Sequence, residues 1–329
     1  MTALDLETQD HRYVLAGNGD GTVYIHDTAN IGGGGTPRHA SKLIAKIKRA
    51  KDNSAAPTRQ PVGFNSSSGS VSNDHFGHTK CISSVQWFPD DSGLFITSAM
   101  DGKLKVWDAN VLEPVEEFAL ASDKVFSHHV RRSPSPLVAV GTGSNHINLI
   151  DLKSGSTSHE LRAHSSPVMA VKWSPFKDHL LVSGDHEGKA LVWDVRRAKS
   201  CLSSLDFDKI KKSDIKKSSK KSGFAHKGCA NGIAFLDDGL HLLTYGSFDG
   251  RLRKWELGSG LNTKTKFPRF APNLNFKMEL KFATSFGCQG GDVAYIPGMS
   301  AVSIFISTVR IEANYLFFHL NLNRENRSK

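Results

Sequence analysis

Three triples of histidine, acid and tryptophan recur along the chain at identical intervals. His78 precedes Asp101 by 23 residues and Trp107 by 29; His164 stands in the same relation to Glu187 and Trp193, and His226 to Asp249 and Trp255. A second interval runs through later acids: Asp108 to Asp151 is 43 residues, and Asp151 to Asp194 is 43 again. A fixed period of about 40–45 residues means that one supersecondary unit is copied, and that a copy buries its apolar face only against its neighbours. A chain of 329 residues is expected to form either two domains or one repeat-built domain. The period selects the second.

Each copy reads as short strands. Ile82–Trp87, Leu94–Ser98 and Lys103–Trp107 are β-rich runs, separated by turn chemistry at Phe88–Gly93 and Met100-Asp101-Gly102. The same grammar returns in Val171–Pro175, Leu180–Ser183 and Ala190–Trp193, and in Gly232–Phe235, Leu240–Thr244 and Leu252–Trp255. Thr22–Asp27, after Asp20-Gly21, is an earlier copy with His26 where tryptophan is usual. Leu137–Val140 with His146–Asp151 is a copy without tryptophan, and Val293–Ile306 reads as the middle of a sixth. The expected architecture is all-β, a propeller of four-stranded blades. A histidine before the first strand, an acid in a turn and a tryptophan on the next strand can join through a hydroxyl into one buried hydrogen-bond network. Thr97 and Ser183, four residues before Asp101 and Glu187, are the expected hydroxyls. The nine triple residues are therefore read as blade staples, not as metal ligands or general bases.

Two intervals break the period. Asp27 to Asp108 is 81 residues and Asp194 to Glu256 is 62, which predicts inter-blade insertions at about 30–75 and 206–223. The basic charge lies there too. Of a net +10, residues 37–59 carry +6 and residues 209–221 another +6, which leaves −2 for the rest. A nucleic-acid face built into the fold would need basic residues in that near-neutral body, so direct sequence-specific nucleic-acid binding is not expected. The second cluster, with Lys211, Lys212, Lys216, Lys217, Lys220 and Lys221, has the form of a nuclear-import signal and predicts a nuclear protein. The propeller is expected over 1–306. Residues 307–329 lose the repeat grammar and read as a divergent tail.

Other chemistries find no footing. No apolar stretch approaches the ~20 residues of a spanning helix, and Met1–Glu7 has neither the basic nor the apolar region of a secretion signal. Cys81, Cys201, Cys229 and Cys288 form no CxxC pair, which argues against a zinc site or a disulfide framework. Gly17–Gly21 sits where each blade has a hairpin and opens no helix, so it is not read as a phosphate loop. His128 and His129, adjacent on a strand, point to opposite faces and cannot readily share a metal. No nucleophile elbow or metalloprotease motif occurs, and neither catalytic residues nor a cofactor is expected.

The repeat resembles the WD-repeat family, whose propellers are commonly seven-bladed; about six blades are represented here, with the ring expected to be incomplete. Leu181–Arg197, ending Trp193-Asp194-Val195-Arg196-Arg197, resembles the WDxR box of substrate receptors of cullin-RING ubiquitin ligases. Chain-wide, Val85–Pro89, Leu104–Asp108, Phe126–His129, Leu137–Thr142, Asp151–Ser156, Trp193–Ala198 and Asp238–Thr244 resemble the Cockayne syndrome A group of those receptors. The resemblance implies a nuclear, non-catalytic receptor in transcription-coupled nucleotide-excision repair. Trp193, Asp194 and Arg196 would meet the ligase's adaptor, the large damaged-DNA-binding protein subunit, and the receptor would dock stalled-polymerase repair factors. Two departures accompany it: that group's N-terminal helical segment and final blade have no counterpart, which predicts a chain truncated at both ends. A general WD scaffold in another nuclear complex, or an inactive truncated product, is the alternative expectation.

Overall fold

The computed structural model describes residues 2–29, 41–50, 76–120, 124–132, 135–197, 201–207 and 223–267, and the backbone of 283–285, 293–296 and 302–305. Every regular element among them is a β-strand, and successive strands pair antiparallel as meanders. The first sheet is β1 (Ala3–Leu6), β2 (Tyr13–Gly17), β3 (Val23–Asp27) and β4 (Lys42–Ile47); the second is β5 (Ile82–Phe88), β6 (Asp91–Ala99), β7 (Lys103–Asp108) and β8 (Glu113–Ala119). The third comprises β9 (Val125–Val130), β10 (Leu137–Thr142), β11 (His146–Asp151) and β12 (Ser156–Arg162). β13 (Val168–Trp173), β14 (Leu180–Asp185), β15 (Ala190–Asp194) and β16 (Cys201–Leu205) form the fourth. The fifth is β17 (Ala230–Phe235), β18 (His241–Gly246), β19 (Arg251–Glu256) and β20 (Leu261–Asn262). A sixth has three strands, β21 (Ala283–Ser285), β22 (Val293–Ile296) and β23 (Val302–Phe305).

Burial shows how the sheets stand. In the first five, each opening strand lies against the opening strand of the next sheet, β1 on β5, β5 on β9, β9 on β13 and β13 on β17. β5 is buried almost throughout, whereas β8 alternates exposed and half-buried residues and β12 is exposed except at Leu161. First strands are therefore innermost and fourth strands outermost, as in a propeller. Faces of neighbouring sheets meet in shared cores, because side chains alternate across a strand and both faces of the middle strands are covered. Leu15, Val23 and Ile25 pack with Ile82, Trp87 and Trp107; Ile147 and Leu149 with Trp173 and Trp193; Val182 and Val192 with Phe235 and Trp255. Each such large side chain contributes about 1.5–3 kcal/mol on burial.

Polar ties reinforce the inner strands. The Asp5 carboxylate accepts from the Trp87 amide at 2.8 Å, Gln86 Oε1 from the Val130 amide at 2.9 Å and His129 Nδ1 from the Trp173 amide at 3.2 Å. His128 turns the other way, its Nδ1 2.8 Å from Ser98 Oγ in the preceding sheet. The two adjacent rings thus serve opposite neighbours.

Residues 30–75 are not one insertion. β4, the outer strand of the first sheet, runs through them at Lys42–Ile47, and only residues 30–40 and 51–75 lie outside the described residues. An outermost strand is solvated along most of its length, so its basic composition hid it. Residues 208–222, with all six import-candidate lysines, and the tail 307–329 also lie outside the described residues.

Candidate functional site

The staples lie at the rim where second strands turn into third strands. Trp107 Nε1–H donates to Thr97 Oγ1 at 2.8 Å, and Thr97 lies 2.8 Å from His78 Nε2. His78 Nδ1 is 3.0 Å from Asp101 Oδ2, and the same carboxylate accepts the Thr79 and Lys103 amides. An indole only donates and an ionised carboxylate only accepts. The ring proton therefore sits on Nδ1, and Thr97 donates to Nε2. Burial pushes the His78 pKa down, which keeps the ring neutral. For Asp101, burial alone would raise the pKa, but the His78 hydrogen bond and the two amides hold it at about 2.

In the fourth sheet the hydroxyl is Ser183, 2.7 Å from Trp193 Nε1 and 2.6 Å from His164 Nε2. The acid differs from the one the spacing selects. Asp185, fully buried at the end of β14, faces His164 Nδ1 at 2.9 Å and accepts the Glu187 and Lys189 amides. Glu187 is exposed and accepts from Ser165 Oγ at 2.9 Å. Glu187 occupies the turn position of Asp101, but Asp185, two residues earlier, already fills the acceptor site, and the longer side chain of Glu187 is turned to the surface. Gly188 closes that turn at φ +96°, where any Cβ would lie 2.3 Å from the His226 and Gly228 carbonyl oxygens.

The fifth sheet adds a charge. Thr244, unmarked by the spacing argument, joins Trp255 Nε1 at 2.8 Å and His226 Nε2 at 2.6 Å. Arg253, buried, donates to Asp249 Oδ2 at 2.7 Å and also contacts His226 Nδ1. His226 Nδ1 also lies 3.4 Å from Asp249 Oδ1, so ring, carboxylate and guanidinium form one buried cluster. Burial pushes the His226 pKa down, with Arg253 acting in the same direction. Burial would raise the Asp249 pKa, yet His226 and Arg253 hold it far below the usual carboxylate range.

The WDxR residues lie at the opposite rim, where third strands turn into fourth strands. Trp193 is fully buried, and Asp194 is 3% exposed. Arg196 forks onto Asp194, Nε to Oδ1 at 3.0 Å and Nη2 to Oδ2 at 2.8 Å, while its amide donates to Oδ1 at 3.1 Å. Arg197 Nε adds a longer contact at 3.5 Å. The Arg196 hydrogen bonds hold the Asp194 pKa far below its ordinary value, and Asp194 in turn raises that of Arg196. Arg196 is 62% exposed, so a fixed guanidinium stands at the surface with N–H groups pointing to solvent. Sequence spacing missed a second fork on this rim, Arg12 on Asp27 at 3.0 and 2.7 Å, which holds Asp27 at about 2. Among the described residues no three His, Cys, Asp or Glu side chains gather as a metal site, and no helix is long and apolar enough to cross a membrane.

The WD domain, G-beta repeat family matches residues 69–108 and 155–194, and with the antiparallel sheets this makes the fold a WD40 β-propeller. The WD repeat-containing protein ATCSA-1 of Arabidopsis thaliana is 29% identical over 81% of this chain and 68% of its own length. Radiation-sensitive protein 28 of Saccharomyces cerevisiae is 28% identical over 60% of the chain, and the ribosome biogenesis protein YTM1 of Phaeosphaeria nodorum is 34% identical over 36%. The chain spans 42% and 26% of the lengths of those two. The chain carries WD repeats and is similar to ATCSA-1 and radiation-sensitive protein 28. The narrower expectation, membership of the Cockayne syndrome A group with both ends lost, is corrected by these matches. Identities of 29% and 28% to those two relatives, beside 34% to a protein named for ribosome biogenesis, support WD repeats and do not single out one receptor.

Proposed function

We propose that this propeller is a non-catalytic substrate-receptor subunit of a cullin-RING ubiquitin ligase serving transcription-coupled nucleotide-excision repair. It would dock through its Arg196 rim on the ligase's propeller adaptor, the large damaged-DNA-binding protein subunit. The observation that carries this reading is the Arg196 fork. Asp194 fixes the guanidinium before any partner arrives, so little side-chain freedom is lost on docking, and the remaining N–H groups suit carboxylates or carbonyls on the partner. A relative named for radiation sensitivity agrees with a repair role. Repair and stalled-polymerase factors would bind elsewhere on the propeller, and ubiquitin transfer would take place on the ligase's RING partner.

The test is recovery of the purified adaptor with the full chain. Arg196→Ala should lower affinity about tenfold or more, as for a central interface arginine, with the thermal transition retained. Unchanged affinity removes Arg196 as the contact. The YTM1 match favours one second reading, a scaffold in another nuclear assembly, for which pull-down would return assembly partners and no ligase components. Nuclear residence is proposed from the lysines of 209–221. A fluorescent fusion lacking them should move to the cytoplasm, and retention in the nucleus would remove that claim.

A further inference from the structure

The Arg196 fork has a twin that arrives by a different route. Arg12 Nε donates to Asp27 Oδ1 at 3.0 Å and its Nη2 to Oδ2 at 2.7 Å, against 3.0 and 2.8 Å for Arg196 on Asp194. The two acids hold equivalent places at the ends of β3 and β15, where Asp27 pairs with Tyr13 and Asp194 with Leu180. Both also accept the amide two residues on, from Ala29 at 2.8 Å and from Arg196 at 3.1 Å. Asp108 and Asp151 end β7 and β11 in the same way and accept the Asn110 and Lys153 amides, but among the described residues no guanidinium joins either acid. The turn therefore closes without arginine, and an exposed ion pair adds little stability. Folding alone does not call for either fork.

The guanidinium comes from the following turn in the fourth sheet and from the neighbouring strand in the first. The Thr28 and Val195 amides donate to the Arg12 and His179 carbonyls at 2.9 and 3.1 Å, so Arg12 stands where the fourth sheet has His179, and Ala29 stands where it has Arg196. The turn that carries Arg12 is braced. Buried Glu7 accepts the Gln9 and Asp10 amides, and Thr8 Oγ1 donates to the Pro89 carbonyl of the second sheet at 3.3 Å. The Arg12 guanidinium lies 5.1 Å from the Tyr13 ring centroid, yet the side chain is 48% exposed. Each fork uses two of five guanidinium N–H groups and leaves three for a partner. We infer that Arg12, held ready by Asp27, is a second docking contact for a carboxylate or carbonyl of the protein that Arg196 receives. This rests on the docking proposed for Arg196. Both forks stand on one rim, where first–second and third–fourth turns emerge together. A single contact lets a partner pivot, whereas contacts on the first and fourth sheets fix how it sits across the end of the propeller.

The test titrates the full chain with the purified adaptor by calorimetry. Arg12→Ala should lower affinity about fivefold or more with the thermal transition retained. Should that variant lose its transition, Arg12→Lys decides the matter: it keeps the charge and loses the fork, and a comparable loss of affinity is expected. Asp27→Ala separates a fixed fork from a stray positive charge. A freed guanidinium must be ordered on docking, so binding should weaken about threefold or more. If net charge alone mattered, the same variant would bind a carboxylate-bearing partner more tightly. Unchanged affinity in the Arg12 variants would overturn the proposal, as would unchanged or tighter binding by Asp27→Ala. A loss at Arg196→Ala without a loss at Arg12→Ala removes this inference and leaves the Arg196 docking standing. No binding of the adaptor by the unsubstituted chain removes that docking, and the second contact with it.

Discussion

The third and fourth sheets stand side by side and share a core, yet they solve the same packing problem with different chemistry. In the fourth, Trp193 pairs with Leu181 across the ladder, and its indole N–H is satisfied by Ser183, which is tied in turn to His164 and Asp185. In the third, Ile150 pairs with Val138 at the tryptophan position, and Val140 stands where the hydroxyl would be. All three are fully buried. A hydrogen-bonded pair replaced on both sides by apolar groups can be close to neutral, whereas half a replacement leaves an orphan donor or acceptor. The Trp-less blade is therefore a complete substitution of one solution for another, not a decayed copy. The staple is optional; its internal consistency is not.

Four experiments press on that contrast, each read from denaturant or thermal unfolding of the full chain. The largest effect belongs to Asp185→Ala. It strips the acceptor from buried His164 and from the Glu187 and Lys189 amides, and should cost about 3–5 kcal/mol, because several donors are left unsatisfied at about 1–3 kcal/mol each. Half-substitution of the third sheet comes next. Val140→Thr places a hydroxyl opposite Asn148 with neither indole nor imidazole in the network, and should cost about 1–3 kcal/mol, while the same change made at Ser183 should be tolerated better. A stabilised Val140→Thr protein would break the comparison.

Acid should loosen stapled blades selectively. His78 and His226 have lowered pKa values in the fold through burial, whereas in the unfolded chain histidine titrates near 6.5. The unfolded state then binds more protons below that pH, so stability is full above about 6.5 and is lost as pH falls toward the lowered folded values. Asp101, held at about 2, adds stability present above about 3.9 and lost as pH falls to 2. The thermal midpoint should fall from pH 7 to 5, and His78→Gln should flatten that slope; an equally steep slope would exclude His78 from it. The smallest change is Glu187→Ala, expected within about 0.5 kcal/mol as for an ordinary surface site. A cost near that of Asp185→Ala would restore Glu187 to the network.

Much of this was legible in the residues. The histidine and tryptophan positions carry a spacing that strands and turns of fixed length impose, and the same is true of Thr97 and Ser183. Asp185 was not legible, because counting from His164 measures position along the chain, while the acceptor is chosen by which carboxylate reaches Nδ1 in the folded turn. Arg253 lacked any local signal. It lies on β19 two residues before Trp255, opposite Thr244, and its role follows from that ladder register. The fork of Arg12 on Asp27 joins residues 15 apart, paired only once β2 and β3 form a hairpin.

By itself, the order of residues determined that copies of one antiparallel unit must stack, because alternation, turn residues and period are properties of consecutive positions. Tertiary structure alone decided which acid completes the fourth staple, which guanidinium joins the fifth, and that Arg12 forks onto Asp27. Those outcomes depend on distances between segments that the chain brings together only when its sheets pack. A side chain's partners are set by what reaches it across that gap.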